Sequence, residues 1–421
     1  MQPKEKTNYK WIIVAACFVM VFVCLGFCSS NKSIYLSAIT ESLGIKRSLF
    51  AINDSCRYIA TAVMNIFFGA LINRFGTKKM IGFGFCSLIA SMLIYANATH
   101  IVMFYVGGCF LGIGLAFTTT SMVGCVVRRW CKEHSGKIMG AVLAANGLGG
   151  AVAAQIVSPI IYEEGNPFGF RNAYKLVALI LTVVGIIIMV VFKEKSSDEP
   201  TAKAKKSRGK EWTGISFAQA RKKPYFYIVL SCTFLSGLVL QGINGIASAH
   251  MKDVGLDASY IATVLSAHSL ALAGFKFLTG IFYDKFGGRK TMLLCSVTAT
   301  VVTLALAAVA PSPTGRIIAM LYGIFSSLAL PLETVMLPLM TNDLFGSADF
   351  DHLLGLLVSF STAGYAVGNP LVNLCFDMLG TYVPILYILS AVMLVVTVCY
   401  QLVFSFASRD KDRYICEAPT T

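Results

Sequence analysis

The sequence predicts an all-α membrane protein of twelve transmembrane helices arranged as two pseudo-symmetric six-helix bundles. Three observations predict it. The 421 residues are 56% hydrophobic and only 13% charged, with a mean hydropathy of +0.71; globular domains carry about 25% charged residues. The apolar residues fall into runs near the length of about 20 residues that crosses a bilayer. The third is a repeat. Residues 69–76 read Gly-Ala-Leu-Ile-Asn-Arg-Phe-Gly and residues 280–287 read Gly-Ile-Phe-Tyr-Asp-Lys-Phe-Gly. The same framework thus recurs 211 residues later, each time at the end of an apolar run and followed by further bases. Two similar halves suit a transporter.

The runs fall at 11–33, 49–72, 79–97, 101–126, 137–162 and 173–192, then at 225–250, 259–283, 291–310, 316–339, 353–376 and 382–406. Residues 1–192 form one bundle and residues 224–408 the other, with a tail over 409–421. The N-terminus mimics a signal peptide, with Lys4, Lys6 and Lys10 before an apolar run, but the many spans that follow make it a retained first helix. Between the halves, residues 193–223 are polar and charged and cannot bury a core. Trp212, Ile215 and Phe217 can lay part of this linker on the membrane surface.

The formal charge of +14 elsewhere suggests nucleic acid; here topology explains it. With the first end cytoplasmic, 26 of the 35 Lys and Arg residues lie in cytoplasmic segments, 6 in outer loops and 3 inside spans. The asymmetry predicts both termini in the cytoplasm of a multi-pass cell-membrane protein. The 13 cysteines lack metal-type spacing and lie mostly in apolar runs, as small packing residues. No nucleophile–base set, phosphate loop or metal cluster points to an enzyme, and no cofactor is expected.

Gly69 and Gly280 permit close helix approach, and Gly76 and Gly287 permit tight turns. Asn73 and Arg74 in the first copy, and Asp284, Lys285 and Arg289 in the second, are candidates to hold the halves together and release them. The bases are expected to reach carboxylates or helix C-termini on neighbouring spans. A basic loop that only sets topology is the plainer reading of one copy; two in register favour a gate.

This pattern resembles the signature loop of the major facilitator superfamily, and the resemblance implies the major facilitator fold. Several stretches are similar to the monocarboxylate transporters and the bacterial oxalate:formate antiporter group. These are Asn31-Lys32-Ser33-Ile34 in span one, Gly112-Ile113-Gly114-Leu115-Ala116-Phe117 in span four, and Ala144-Ala145-Asn146-Gly147-Leu148-Gly149 in span five. Lys276, Gly280 and Asp284 occupy the place of those families' Arg-Pro-x-x-Gly-x-x-x-Asp. The chain departs from the pattern at Asn73, where the superfamily usually has Asp, and at Phe277 for Pro. It departs again at Leu272, where monocarboxylate carriers keep a proton-coupling Asp, and at Ser361, where the oxalate carrier has Lys.

A Lys or Arg at mid-bilayer costs about 2.5–3.5 kcal/mol on insertion scales, so it persists where it has a cavity, a partner or a task. Three stand inside spans: Lys32, Arg57 and Lys276. Asp54 lies one turn before Arg57 and can pair with it; Arg57 also suits the outer mouth. Lys32 and Lys276 have no acidic neighbour at helical spacing. One on each half, they are expected to clamp a small carboxylate, although Lys32 can also snorkel outward. Asn31 and Tyr35 offer polar contacts beside Lys32, as do Asn146 and Asn369 elsewhere. His268, two turns before Lys276, is either a packing residue or a proton carrier. Glu333 is expected toward the cytoplasmic end of span ten, paired with a hairpin base.

The expected function is secondary transport of a small organic anion, a monocarboxylate or short dicarboxylate, by alternating access, as proton symport or anion exchange. The partners are the substrate, the lipid bilayer and protons, with no nucleic acid, and the carrier is a monomer. The alternative is an efflux carrier for hydrophobic or cationic compounds; such carriers favour acids in the cleft, and here three bases face only Asp54 and Glu333. A sensing receptor would need a larger extension than the residues after Phe406.

Overall fold

The computed structural model describes residues 5–417 except 31, 46, 132–133, 162–165, 167 and 194–213. The first half contains α1 (Glu5–Cys24), α2 (Lys32–Leu43), α3 (Arg47–Ile66), α4 (Phe68–Phe75), α5 (Thr77–Ala96), α6 (Ile101–Ala116), α7 (Thr120–Trp130), α8 (Ser135–Ile161) and α9 (Gly169–Val191). A short helix, α10 (Phe217–Ala220), precedes the second half. That half contains α11 (Pro224–Asp253), α12 (Ala258–Phe286), α13 (Gly288–Ala307), α14 (Pro313–Ala329), α15 (Pro331–Thr334), α16 (Met336–Phe345), α17 (Phe350–Leu379) and α18 (Val383–Glu417). Helices satisfy every backbone N–H and C=O within the segment, which lipid demands.

Among the described residues, ten helices are long and apolar enough to cross a bilayer; α3 and α4, bent by 58°, form an eleventh as a pair, and Tyr9–Cys24 is a shorter apolar helix. The twelve-run pattern is therefore present, but four runs are not single straight helices. Span one breaks over 25–30, span two at Phe67, span four over 117–119 and span ten around Leu330. The segment expected as a tail begins as helix, because α18 runs on to Glu417.

The halves meet along two seams. In one, α8 lies along α12; in the other, α3 and α4 lie along α17. Glycines at the hairpin end, Gly280 against Gly136 and Gly69 against His352, let both seams close there. The end of the linker docks at that end too. Ile215 N–H donates to Phe345 O (2.9 Å), and Phe217 N–H donates to Asp349 Oδ2 (2.7 Å). Ile215 is buried, so it packs into protein and not onto a membrane surface; Trp212 lies outside the described residues.

Candidate functional site

Between the halves lies a cavity of about 230 Å³. Span breaks shape its wall. The interruption of span one brings in Ser29, that of span four brings in Thr119, and α15 carries Glu333 and Thr334. Interrupted helices at mid-depth are where carriers expose polar groups without stranding backbone in lipid.

Two cations from opposite halves line this cavity. Arg57, on α3, is 6% exposed. Its guanidinium pairs with Asp54 (2.8 Å), donates to Ser29 Oγ (2.5 Å) and lies over the Tyr58 ring at 4.2 Å. Tyr58 in turn meets Tyr365 of the second half edge-on, with ring centroids 5.4 Å apart. Arg57 is therefore paired along its own helix, as one of its two readings expects, and it lines the buried cavity. Lys276, on α12, is 4% exposed and makes no hydrogen bond or ion pair among the described residues. Asn146 also lines the wall, its carbonyl accepting from Ser30 Oγ (2.8 Å).

Glu333 is the part that sequence reasoning misplaced. It lines the same cavity as Lys276, is 4% exposed, and accepts hydrogen bonds from Ser236 and Ser361 instead of a hairpin base. Pro331, two residues earlier, is the signal that could have located it. A proline within an apolar run interrupts the helix, and an acid beside such a break faces the interior, where polar groups have partners.

Other expected contacts fall elsewhere. The His268 ring bonds Ser326 Oγ (2.9 Å) and Gly323 O (3.1 Å), so it ties α12 to α14 and does not line the cavity. Eight residues at about 100° each leave His268 and Lys276 about 80° apart on the helix, not on one face. Tyr35 is buried inside the first half, stacked on Tyr174 at 4.2 Å, with its hydroxyl unbonded among the described residues. Asn369 bonds within its own helix to Asn373. Lys32 opens α2; its side chain lies outside the described residues, as does Asn31 altogether.

The two hairpins share their backbone. Gly76 and Gly287 have φ of 83° and 82°, a region that favours glycine. A Cβ on Gly280 would lie 2.1 Å from Gly136 O, and one on Gly69 would lie 2.6 Å from the His352 Cα, so each glycine lets its helix touch the backbone of the opposite half. The polar positions differ. Asp284 accepts from the backbone N–H groups of Gly136 (3.0 Å) and Lys137 (2.8 Å), capping α8 of the other half. Asn73 is exposed and makes no hydrogen bond among the described residues.

The hairpin bases do not reach across the seams. Arg74 and Lys285 lie over their own neighbours Phe75 and Phe286, and Arg289 bonds Gln401 within its half (3.2 Å). The charged link at the α17 seam is made by Arg128 and Arg129, which pair with Asp351 at 3.5 and 2.5 Å. Tyr283 donates to Asp343 (2.7 Å), beyond the apolar part of span ten. Burial pushes that carboxyl up to about 6, against the lowering effect of the hydroxyl.

Two six-helix bundles closed around a buried polar cavity define a multi-pass membrane transporter, not an enzyme. The Major Facilitator Superfamily profile matches residues 16–239 and 229–414, and the chain belongs to that family. Among curated relatives, it is 23% identical over 383 residues to the sialic acid transporter NanX of Escherichia coli, covering 87% of this chain and 85% of that protein. It is 25% identical over 332 residues to monocarboxylate transporter 13 of Bos taurus (77% and 73%). It is 24% identical over 331 residues to multidrug resistance protein 2 of Bacillus subtilis (78% and 80%). Among solved structures, the E. coli fucose:proton symporter FucP superposes with a TM-score of 0.70 at 15% identity, covering 96% of this chain and 99% of that one. The proton:xylose symporter XylE gives 0.72 at 13% identity, with coverage of 93% and 95%.

Proposed function

We propose that this transporter moves a small organic anion by alternating access, gripping a carboxylate between Arg57 of one half and Lys276 of the other. The observation that carries the reading is Lys276. It is a buried ammonium with no partner among the described residues, on a cavity it shares with an arginine. Its three N–H donors are therefore free to hydrogen-bond a bound carboxylate. Arg57 is taken as the first-half cation because it is the first-half base on the cavity wall among the described residues.

The cavity volume of about 230 Å³ supports a small substrate, since drug-sized ligands take about 300–1,000 Å³. The same volume weighs against bulky hydrophobic cargo. Two relatives are named for acids, a sialic acid and monocarboxylates, and a third for drugs. The distribution of Lys and Arg supports a cytoplasmic hairpin end in a cell-membrane carrier.

A thermal-shift screen of the purified protein against pyruvate, L-lactate, acetate, oxalate and succinate at two pH values tests this. A ligand that binds only the folded state at a hundred times its Kd stabilises by about 2.7 kcal/mol. One of the acids is expected to raise the melting temperature. Stabilisation by hydrophobic cations alone would overturn the reading.

A further inference from the structure

We propose that Glu333 is the proton-binding site through which this carrier couples anion movement to protons; the inference rests on the anion-carrier reading and deepens it. Three features of the geometry point to this residue. Glu333 lies on the wall of the cavity that also holds Lys276 and Arg57, so a proton on it meets the substrate electrostatically. It is buried, and its hydrogen-bond partners among the described residues are hydroxyls: Ser236 of α11 donates to one carboxylate oxygen and Ser361 of α17 to the other. The Ser236 hydroxyl also meets Tyr400 of α18 at 3.2 Å.

Hydroxyl partners are what make the site switchable. A serine hydroxyl donates to a carboxylate and, turned about its C–O bond, accepts from a carboxylic acid. The site thus satisfies Glu333 with or without its proton. The neighbouring acids have partners that can only donate. Asp54 pairs with Arg57, Asp351 with Arg128 and Arg129, and Asp284 accepts from two backbone N–H groups.

The groups bearing on Glu333 can be enumerated by element. They are Ser236 on α11, Ser361 and Tyr365 on α17, Tyr400 on α18, and, sharing the cavity, Lys276 on α12 and Arg57 on α3. With Asp54 balancing Arg57, and Glu333 ionised to balance Lys276, the empty cavity carries no net charge. A bound monoanion makes it negative. Protonation of Glu333 restores neutrality, and a neutral cavity is the form that passes most readily through a low-dielectric closed state. A dianion would leave a residual charge, which narrows the substrate class to monocarboxylates. His268, turned toward Ser326 and Gly323, has no place in this cycle.

The test begins without any ligand. An infrared pH titration of the reconstituted full chain is expected to show a buried carboxylic C=O band that appears on acidification and is absent from Glu333→Gln. Asp343, also buried, is expected to give a titrating band of its own in both proteins; a spectrum of Glu333→Gln with no component lost relative to the wild type, or no titrating band at all, would overturn the assignment. Ser361→Ala removes one donor to the carboxylate and is expected to move the midpoint of that titration to higher pH; an unmoved midpoint would overturn it even if Glu333→Gln fails to fold. In proteoliposomes, a pulse of pyruvate is expected to acidify the lumen with the wild type and not with Glu333→Gln. Acidification by the variant equal to wild type would refute the coupling role. A titrating band together with no anion uptake by the wild type would count against the carrier reading and leave the proton site standing.

Discussion

The two hairpins carry one backbone and two chemistries. In both, a glycine with φ near 80° makes the turn, and a glycine seven residues earlier seats the helix against the opposite half. Only the second copy keeps its acid. The helices they meet explain the difference. The α8 N-terminus reads Ser-Gly-Lys, and its N-terminal neighbour His134 takes a left-handed φ of 54°. It has no acid in its first turn, so the unsatisfied N–H groups there need a carboxylate from elsewhere, and Asp284 provides it. The α17 N-terminus already has Asp351 in its first turn, bonded to Arg128 and Arg129. An acid at position 73 would add like charge near it. Each helix start therefore has a carboxylate: α17 brings its own in Asp349 and Asp351, and α8 borrows Asp284 across the seam. A repeat can lose a charged residue without losing its role where the partner helix carries that charge.

Substitutions can break this comparison, and the largest expected effect is at α17. Asp351→Ala leaves two largely buried guanidinium groups without their carboxylate and should destabilise by about 3–5 kcal/mol, read as the loss of melting temperature in detergent. A loss no larger than that of Asp284→Ala would show that the α17 seam does not depend on its own acid. Next come the glycines. Gly280→Ala and Gly69→Ala each place a Cβ against opposing backbone that cannot rotate away, at about 1–3 kcal/mol each. Similar costs in the two would confirm that the shared part of the motif is steric; a silent Gly69→Ala would break the equivalence. Smallest are the polar positions. Asp284→Ala removes an exposed trans cap worth about 1 kcal/mol, whereas Asn73→Ala should fall within about 0.5 kcal/mol of wild type. Equal effects at the two sites would contradict the asymmetry.

The sequence carried different parts of this molecule with different clarity. The spans were legible because lipid admits only long apolar helices. The hairpins were legible because positive φ and backbone contact are both written as glycine. Arg57 and Lys276 stood out because a cation in an apolar run needs a reason. Glu333 was misplaced because its serine partners lie 97 and 28 residues away on other spans, and no local pattern encodes them. His268 was misassigned to the Lys276 face because two turns is a loose measure: the residual rotation over eight residues turns its ring to α14. The breaks in spans one and four went unread because no proline marks them; Ser29, Ser30 and Thr118-Thr119-Thr120 are the polar traces they leave.

The most direct measurement is uptake of the best-stabilising acid into proteoliposomes by wild type and by Lys276→Gln, with both proteins shown to be folded by their melting curves. A carboxylate held by an unpartnered ammonium predicts that uptake is abolished in the variant. Uptake at the wild-type rate would mean that Lys276 answers to something other than the substrate, and the anion clamp would be wrong.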